Sequence, residues 1–196
     1  MFSDYSASRK EYYTRAIFPQ NVQAFLQYDN NVCIPSNRSI KFKKLPWGVT
    51  EKEMMRACGS SRYVHNTETR GCKYAIHFYK EKLDNTKVLV QVHFINNRFF
   101  YASYTLKESD RKERKLIKTT IINKYGGDNI DSLLDSLVFK DENNNKAIIT
   151  DSVYMNLGYF SGDFEARTIL NKFCSEYTAE KRSPYQEKAN KIYSLL

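Results

Sequence analysis

The chain has 196 residues, with 31 Lys and Arg against 22 Asp and Glu, and a formal net charge of +9. Hydrophobic residues at 41% and aromatics at 14% exclude disorder as the main state, and seven Gly and four Pro exclude a collagenous or low-complexity chain. A chain of this length buries roughly 70% of its unfolded surface, so it needs no metal or disulfide staple, and no apolar run approaches the roughly 18 residues of a membrane span.

The basic excess points to an anionic partner, whether nucleic acid, a membrane surface or an acidic protein, or to a solvated Lys-rich surface. The excess is local. Lys41, Lys43 and Lys44 form one cluster, and Arg111, Lys112, Arg114, Lys115 and Lys118 a second, while 128–163 is acidic. Residues 1–30 contain no apolar h-region, so the expected location is cytoplasmic, or the cell envelope if a leader has been removed. Cys33, Cys58, Cys72 and Cys174 lack knuckle-type spacing, which argues against zinc. Either four free thiols or two disulfides fit.

In chain order, Ser8 and Glu11 have capping-box spacing, predicting a short helix over about 9–17. Pro19 ends it or opens a second one through Val22, Phe25 and Leu26. Residues 1–44 read as an N-terminal extension packed on an α+β domain over 45–173, with a C-terminal helical piece over 174–196. Thr50 and Glu53 form a second capping box after Leu45-Pro46-Trp47-Gly48-Val49, so a helix runs through Met54, Met55 and Ala57 and stops at Gly59.

Residues 73–82 and 87–95 alternate as strands, with Tyr74, Ile76, Phe78 and Lys80 on one side of the first and Val88, Val90, Val92 and Phe94 on one side of the second. Asn96-Asn97 is a hairpin turn, because Asn tolerates positive φ. The return strand, 98–106, then sets Phe94 opposite Phe99 and Val92 opposite Tyr101. Asp110 and Glu113 cap a helix over about 111–125, with Ile117, Ile121 and Tyr125 as its core stripe, Leu116 and Ile122 flanking, and Gly126-Gly127 as its stop. Residues 128–139 read as a connection with some helical character. Residues 147–153, 154–161 and 164–173 read as two or three strands, with a turn at Gly162-Asp163. Ser183, Pro184 and Gln186 predict a terminal helix over 184–196. The expected fold is α+β: one antiparallel sheet of about five or six strands, with the 50–58 and 111–125 helices packed on its face.

Pro46, Trp47, Gly48, Thr50, Glu53, Gly59, Lys124, Tyr125 and Gly126 carry a resemblance. Over about residues 45–160 the chain resembles small bacterial envelope domains of the BamE/SmpA and beta-lactamase-inhibitor type, which begin with a Pro-Trp/Phe-Gly-x-Thr helix and later end a helix in Lys-Tyr-Gly. That resemblance implies helices on one face of an antiparallel sheet and a non-enzymatic domain that binds other proteins or stabilises assemblies.

The candidate sites follow. His77 and His93 face each other if their two strands pair directly, with Cβ atoms about 5 Å apart, and two such imidazoles can bind a metal or a small ligand. No carboxylate completes that set, so the metal reading is weak. Trp47, the only Trp, is either a partner anchor or a structural staple. The two basic clusters can meet an acidic protein or phosphates. The chain has no G-x-S-x-G, H-E-x-x-H, Walker or G-x-G-x-x-G motif. Glu81 with Asp84, Glu176 with Glu180, and Cys58 or Cys72 with His65 are pairs that nothing marks as catalytic. The expectation is therefore a non-catalytic protein-interaction module without a cofactor, an accessory subunit of a larger assembly. A basic nucleic-acid-associated factor is the alternative.

Overall fold

The computed structural model describes residue 18 and residues 21–23, 33–83, 85–106, 109–126, 130 and 134–193, with side chains of the last helix to Thr178. The helix expected over 9–17 and the residues Phe25 and Leu26 lie outside the described residues. Residues 21–23 are helical and Val22 is fully buried.

Eight strands form one sheet: β1 (Cys33–Pro35), β2 (Tyr63–Thr69), β3 (Cys72–Leu83), β4 (Thr86–Ile95), β5 (Arg98–Leu106), β6 (Ser136–Lys140), β7 (Lys146–Asp151) and β8 (Met155–Phe160). Their order is β1-β6-β7-β8-β5-β4-β3-β2. Two antiparallel meanders, β2–β5 and β6–β8, join where β8 pairs with β5, and β1 adds the one parallel pair, to β6. Besides the helical residues 21–23, the helices among the described residues are α1 (Glu51–Cys58), α2 (Arg111–Tyr125) and α3 (Phe164–Tyr193). Among the described residues no helix is long and apolar enough to cross a membrane.

The chain is α+β, but the five- or six-stranded antiparallel sheet with helices on one face is corrected to an eight-stranded mixed sheet with a core on each face. Met54 of α1 and Ile121, Ile122 and Tyr125 of α2 pack on one face, and Ala166, Leu170, Phe173 and Cys174 of α3 pack on the other. This is why β4 reads Val-Leu-Val-Gln-Val-His-Phe-Ile and is buried at every one of those positions.

Three strands escaped the pattern. β2 is a polar edge strand, Tyr-Val-His-Asn-Thr-Glu-Thr. β1 has three residues, and β6 lies in the stretch read as a helical connection. The strand expected over 164–173 is instead the start of α3. Ala166, Leu170, Phe173 and Cys174 recur at helical, not alternate, spacing, and the Asp163 carboxylate accepts the Glu165 amide at 2.9 Å. The helix then continues through Ser183-Pro184, so the expected start at 184 is also corrected.

The local caps form as the sequence predicts. Thr50 with Glu53 and Asp110 with Glu113 make reciprocal capping boxes, and Gly59 ends α1 at φ 79°. Asn96 and Asn97 both have positive φ, 47° and 61°, as a tight hairpin turn requires. Phe94 does face Phe99, but a bulge follows. His93 pairs with Tyr101, leaving Phe100 as the extra residue, so Val92 faces Ala102 and not Tyr101.

Residues 40–49 cross the α1/α2 face as a strap. Ile40 and Phe42 are buried, and the Phe42 ring sits 5.4–6.0 Å from those of Phe99, Tyr104 and Tyr159. The buried Asp141 carboxylate anchors the strap by accepting the Ile40 amide at 2.7 Å, along with the Asn143 and Asn145 amides and the Asn145 side chain. Asn145 in turn accepts the Gly162 amide at 2.7 Å. A Cβ at Gly162 would lie 2.0 Å from the Asn143 carbonyl oxygen, so the entry to α3 needs glycine for close backbone approach.

Candidate protein-docking surface

The basic run of α2 divides into a paired set and an exposed set. Arg114 and Lys118 lie four residues apart on the side that turns toward the sheet, where β7 delivers Asp151. Arg114 reaches one carboxylate oxygen of Asp151 at 3.1 Å, and Lys118 reaches the other at 3.2 Å. Lys118 is only 5% exposed and also donates to the Leu134 carbonyl at 3.0 Å. Arg114 further donates to the Ser109 hydroxyl and to the carbonyls of Ser152 and Val153. These two cations fasten the β7–β8 turn to α2 and have little capacity left for a partner.

Arg111, Lys112 and Lys115 are exposed, and among the described residues none of the three is paired. They edge an open cleft of about 710 Å³, whose wall also includes Ser109, Asp135 and Asp151. Large apolar side chains stand exposed on the same elements: Leu116 of α2 is 68% exposed, and Val153 of the β7–β8 turn is 78% exposed. Leu116, expected beside the core stripe, thus faces solvent, while Ile121, Ile122 and Tyr125 are buried. The apolar part of the surface was not anticipated. The only sequence signal for it is Leu116, which falls at i+4 from Lys112 on the solvent side.

The other cluster does not join this surface. Lys43 pairs with Glu81 at 2.5 Å, whereas Lys41 and Lys44 are exposed. Lys43 and Lys44 both adopt positive φ, 48° and 61°, in a turn closed by the Leu45 amide on the Phe42 carbonyl at 2.9 Å. Trp47 holds the strap. Its ring stacks on Phe99 with centroids 4.8 Å apart, and its indole N–H donates to the Ile40 carbonyl at 3.2 Å. Gly48 and Val49 exchange backbone bonds with Phe99, so Trp47 staples the strap and is half-buried in doing so.

His77 and His93 do not converge. The β3–β4 register is one residue from the one expected: Ile76 faces His93, and His77 faces Val92. The pairing runs to Leu83 opposite Thr86, and a one-residue shift reverses the face of every side chain. His77 therefore lies on the α1/α2 face, where its Nε2 meets the Glu51 carboxylate at 2.8 Å and its ring meets Phe94 edge-on. His93 lies on the α3 face, fully buried among Tyr74, Phe100 and Tyr101. Its Nδ1 meets the Tyr74 hydroxyl at 2.7 Å, its Nε2 has no partner, and burial pushes its pKa down to about 3. The paired-histidine site is thus withdrawn.

The remaining perturbed groups are set by burial. Desolvation pushes the Tyr79 phenol up to about 12, with Cys58, Glu81 and Glu51 adding to it. Desolvation also raises the thiols of Cys58 and Cys72, and takes that of Cys174 to about 11. None of these directions activates a nucleophile at neutral pH.

No protein-family model matches the chain, and no curated protein or solved structure matches it either.

Proposed function

We propose that this chain is a non-catalytic interaction module, an accessory subunit that docks an acidic protein partner on the α2 surface. The observation that carries the reading is the set of three exposed cations, Arg111, Lys112 and Lys115, without an ion pair among the described residues, on the helix that exposes Leu116 and fastens the turn that exposes Val153. Cations give on-rate and register, while desolvated apolar side chains supply affinity. The resemblance carried by Pro46-Trp47-Gly48 and the two helix caps supports the same class of role.

Phosphate backbones fit the surface less well. Asp135 is exposed in the cleft and repels a polyanion, and Asp151 already takes up Arg114 and Lys118. An acidic protein segment carries apolar side chains as well as charge and can use both parts of the surface.

The test is a triple charge reversal, Arg111→Glu, Lys112→Glu and Lys115→Glu, compared with wild type by affinity purification from the native host and mass spectrometry. The expected result is the loss of an acidic co-purifying protein from a variant whose circular dichroism is unchanged. Equal recovery with both proteins refutes the proposal. A filter-binding assay at low and high salt that finds RNA or DNA retained by wild type and lost by the variant replaces it with the nucleic-acid reading.

A further inference from the structure

The four cysteines allow three different pairings into two bridges, and the fold removes all three. Cys58 ends α1 and packs on the α1/α2 face, while Cys33, Cys72 and Cys174 belong to the opposite face, so Cys58, which every two-bridge pairing needs, has no reachable cysteine. The sheet therefore stands between Cys58 and all three. Cys33 is on β1, six strands away from β3 in the sheet order, which at the usual strand spacing is roughly 29 Å. One couple remains.

Cys72 and Cys174 are brought to the same place by contacts on either side of them. Cys72 pairs with Thr69 across the β2–β3 turn, and the Thr69 hydroxyl reaches the Glu176 carboxylate of α3 at 3.5 Å. Two residues along β3 on the same face, Tyr74 stacks on Phe173 of α3 with centroids 5.1 Å apart. The sheet residues that bracket Cys72 thus touch the helix residues that bracket Cys174. Electrostatics agrees, since the Cys72 thiol adds to the upward push on Cys174, and Cys174 does the same to Tyr74. Both thiols are free in this structure, with Cys72 half-buried and Cys174 buried.

We infer that Cys72 and Cys174 form a redox-sensitive site, at which a low-molecular-weight disulfide such as oxidised glutathione converts the two thiols into one bridge locking α3 to the β2–β3 hairpin. Cys72, the more exposed thiol, loses its proton and attacks one sulfur of the oxidant, displacing the first glutathione thiolate. Cys174 then loses its proton and attacks the Cys72 sulfur, displacing the second. The protein gives up two protons and two electrons, and the oxidant leaves as two thiols. Because burial raises both thiols, the exchange waits on local opening of α3 and is slow compared with that of an exposed cysteine.

The experiment uses the full chain in oxidised glutathione and, separately, in dithiothreitol. Both samples are alkylated, digested with trypsin without reduction and analysed by mass spectrometry. The expected product is one cross-link joining the peptide that contains Cys72 to the peptide that contains Cys174. The bridge closes a loop of about a hundred residues, so the thermal midpoint of the oxidised protein should rise by roughly 5–10 °C over the reduced one. Cys72→Ser should abolish both changes, while Cys33→Ser and Cys58→Ser should keep them. Recovery of Cys72 and Cys174 as separate glutathione adducts, a bridge through Cys33 or Cys58, or unmodified thiols throughout would each overturn the inference. The reduced Cys72→Ser protein should melt with reduced wild type, which separates loss of the bridge from damage to the fold.

Discussion

His93 makes acid stability a test of how the α3 face is packed. The ring is fully buried, with one nitrogen against the Tyr74 hydroxyl at 2.7 Å and the other without a partner. Its other ring contacts are Phe100 and Tyr101, and among the described residues no carboxylate is bonded to it. A protonated ring would place a desolvated charge among aromatics and leave one N–H unbonded. This is why the folded pKa falls from 6.5 to about 3.

The folded group is neutral over a range in which the unfolded one is charged. Above pH 6.5 neither state binds the proton and His93 adds no pH dependence. Below it the unfolded state binds a proton that the folded state refuses, so stability falls with pH through the window from 6.5 down to about 3. Well below 6.5 each pH unit costs roughly a factor of ten in the folding equilibrium, which comes to about 2 kcal/mol between pH 6.5 and 4.5. His93→Asn removes the titration and leaves an amide able to accept from Tyr74. Urea melts of both proteins at pH 7.0, 5.5 and 4.5 should show wild type losing about 2.5 kcal/mol more than the variant over that range. The variant is expected to be the less stable protein at pH 7, because the amide is smaller than the ring, so the slope difference and not the absolute stability is the readout. Parallel pH profiles would refute the reasoning, since they would mean that the ring is hydrated or paired with an anion in the folded state.

Asp151→Asn should cost about 3 kcal/mol in urea melts, because it leaves Lys118 buried without its carboxylate, whereas Lys112→Glu and Lys115→Glu should each change stability by less than about 0.5 kcal/mol. Trp47→Ala removes the ring stacked on Phe99 and should lower stability by about 3 kcal/mol, read by circular dichroism since the only Trp is then gone. Gly162→Ala should cost about 2 kcal/mol or more by urea melt, because its methyl group meets backbone at Asn143 and displaces the amide bonded to Asn145.

What was legible in the sequence is what local rules fix. Capping boxes need only residues three apart, and positive φ at Asn96-Asn97 needs only those two residues, so α1, α2 and the β4–β5 turn were predictable to within a residue. Strand count was not, because it depends on partners. β1 is a strand only because β6 offers it an edge, and β6 is hidden in a run whose leucine spacing imitates a helix. Register was lost by one residue in the β3–β4 turn, and that alone moved His93 to the face opposite His77. The β5 bulge was equally invisible, since alternation cannot announce that Phe100 and Tyr101 share a face.

The basic helix shows where a charge count misleads and what would have corrected it. Five cations between positions 111 and 118 read as one surface, yet Arg114, Lys118, Ile121 and Tyr125 recur at i, i+4, i+7 and i+11, the spacing of a single buried stripe. Two cations on the core-facing stripe demand a carboxylate from elsewhere in the fold, because a buried ammonium without a partner costs several kcal/mol. That carboxylate is Asp151, which arrives 33 residues after Lys118 and so carries no local signature. Once Arg114 and Lys118 are assigned to it, the charge open to a partner shrinks from five to three, spread along one side of a cleft that also holds Asp135. Three cations on the helix that also exposes Leu116 combine charge with apolar surface, and that combination is why the proposed partner is an acidic protein, which can meet both, over a phosphate backbone, which meets only the charge.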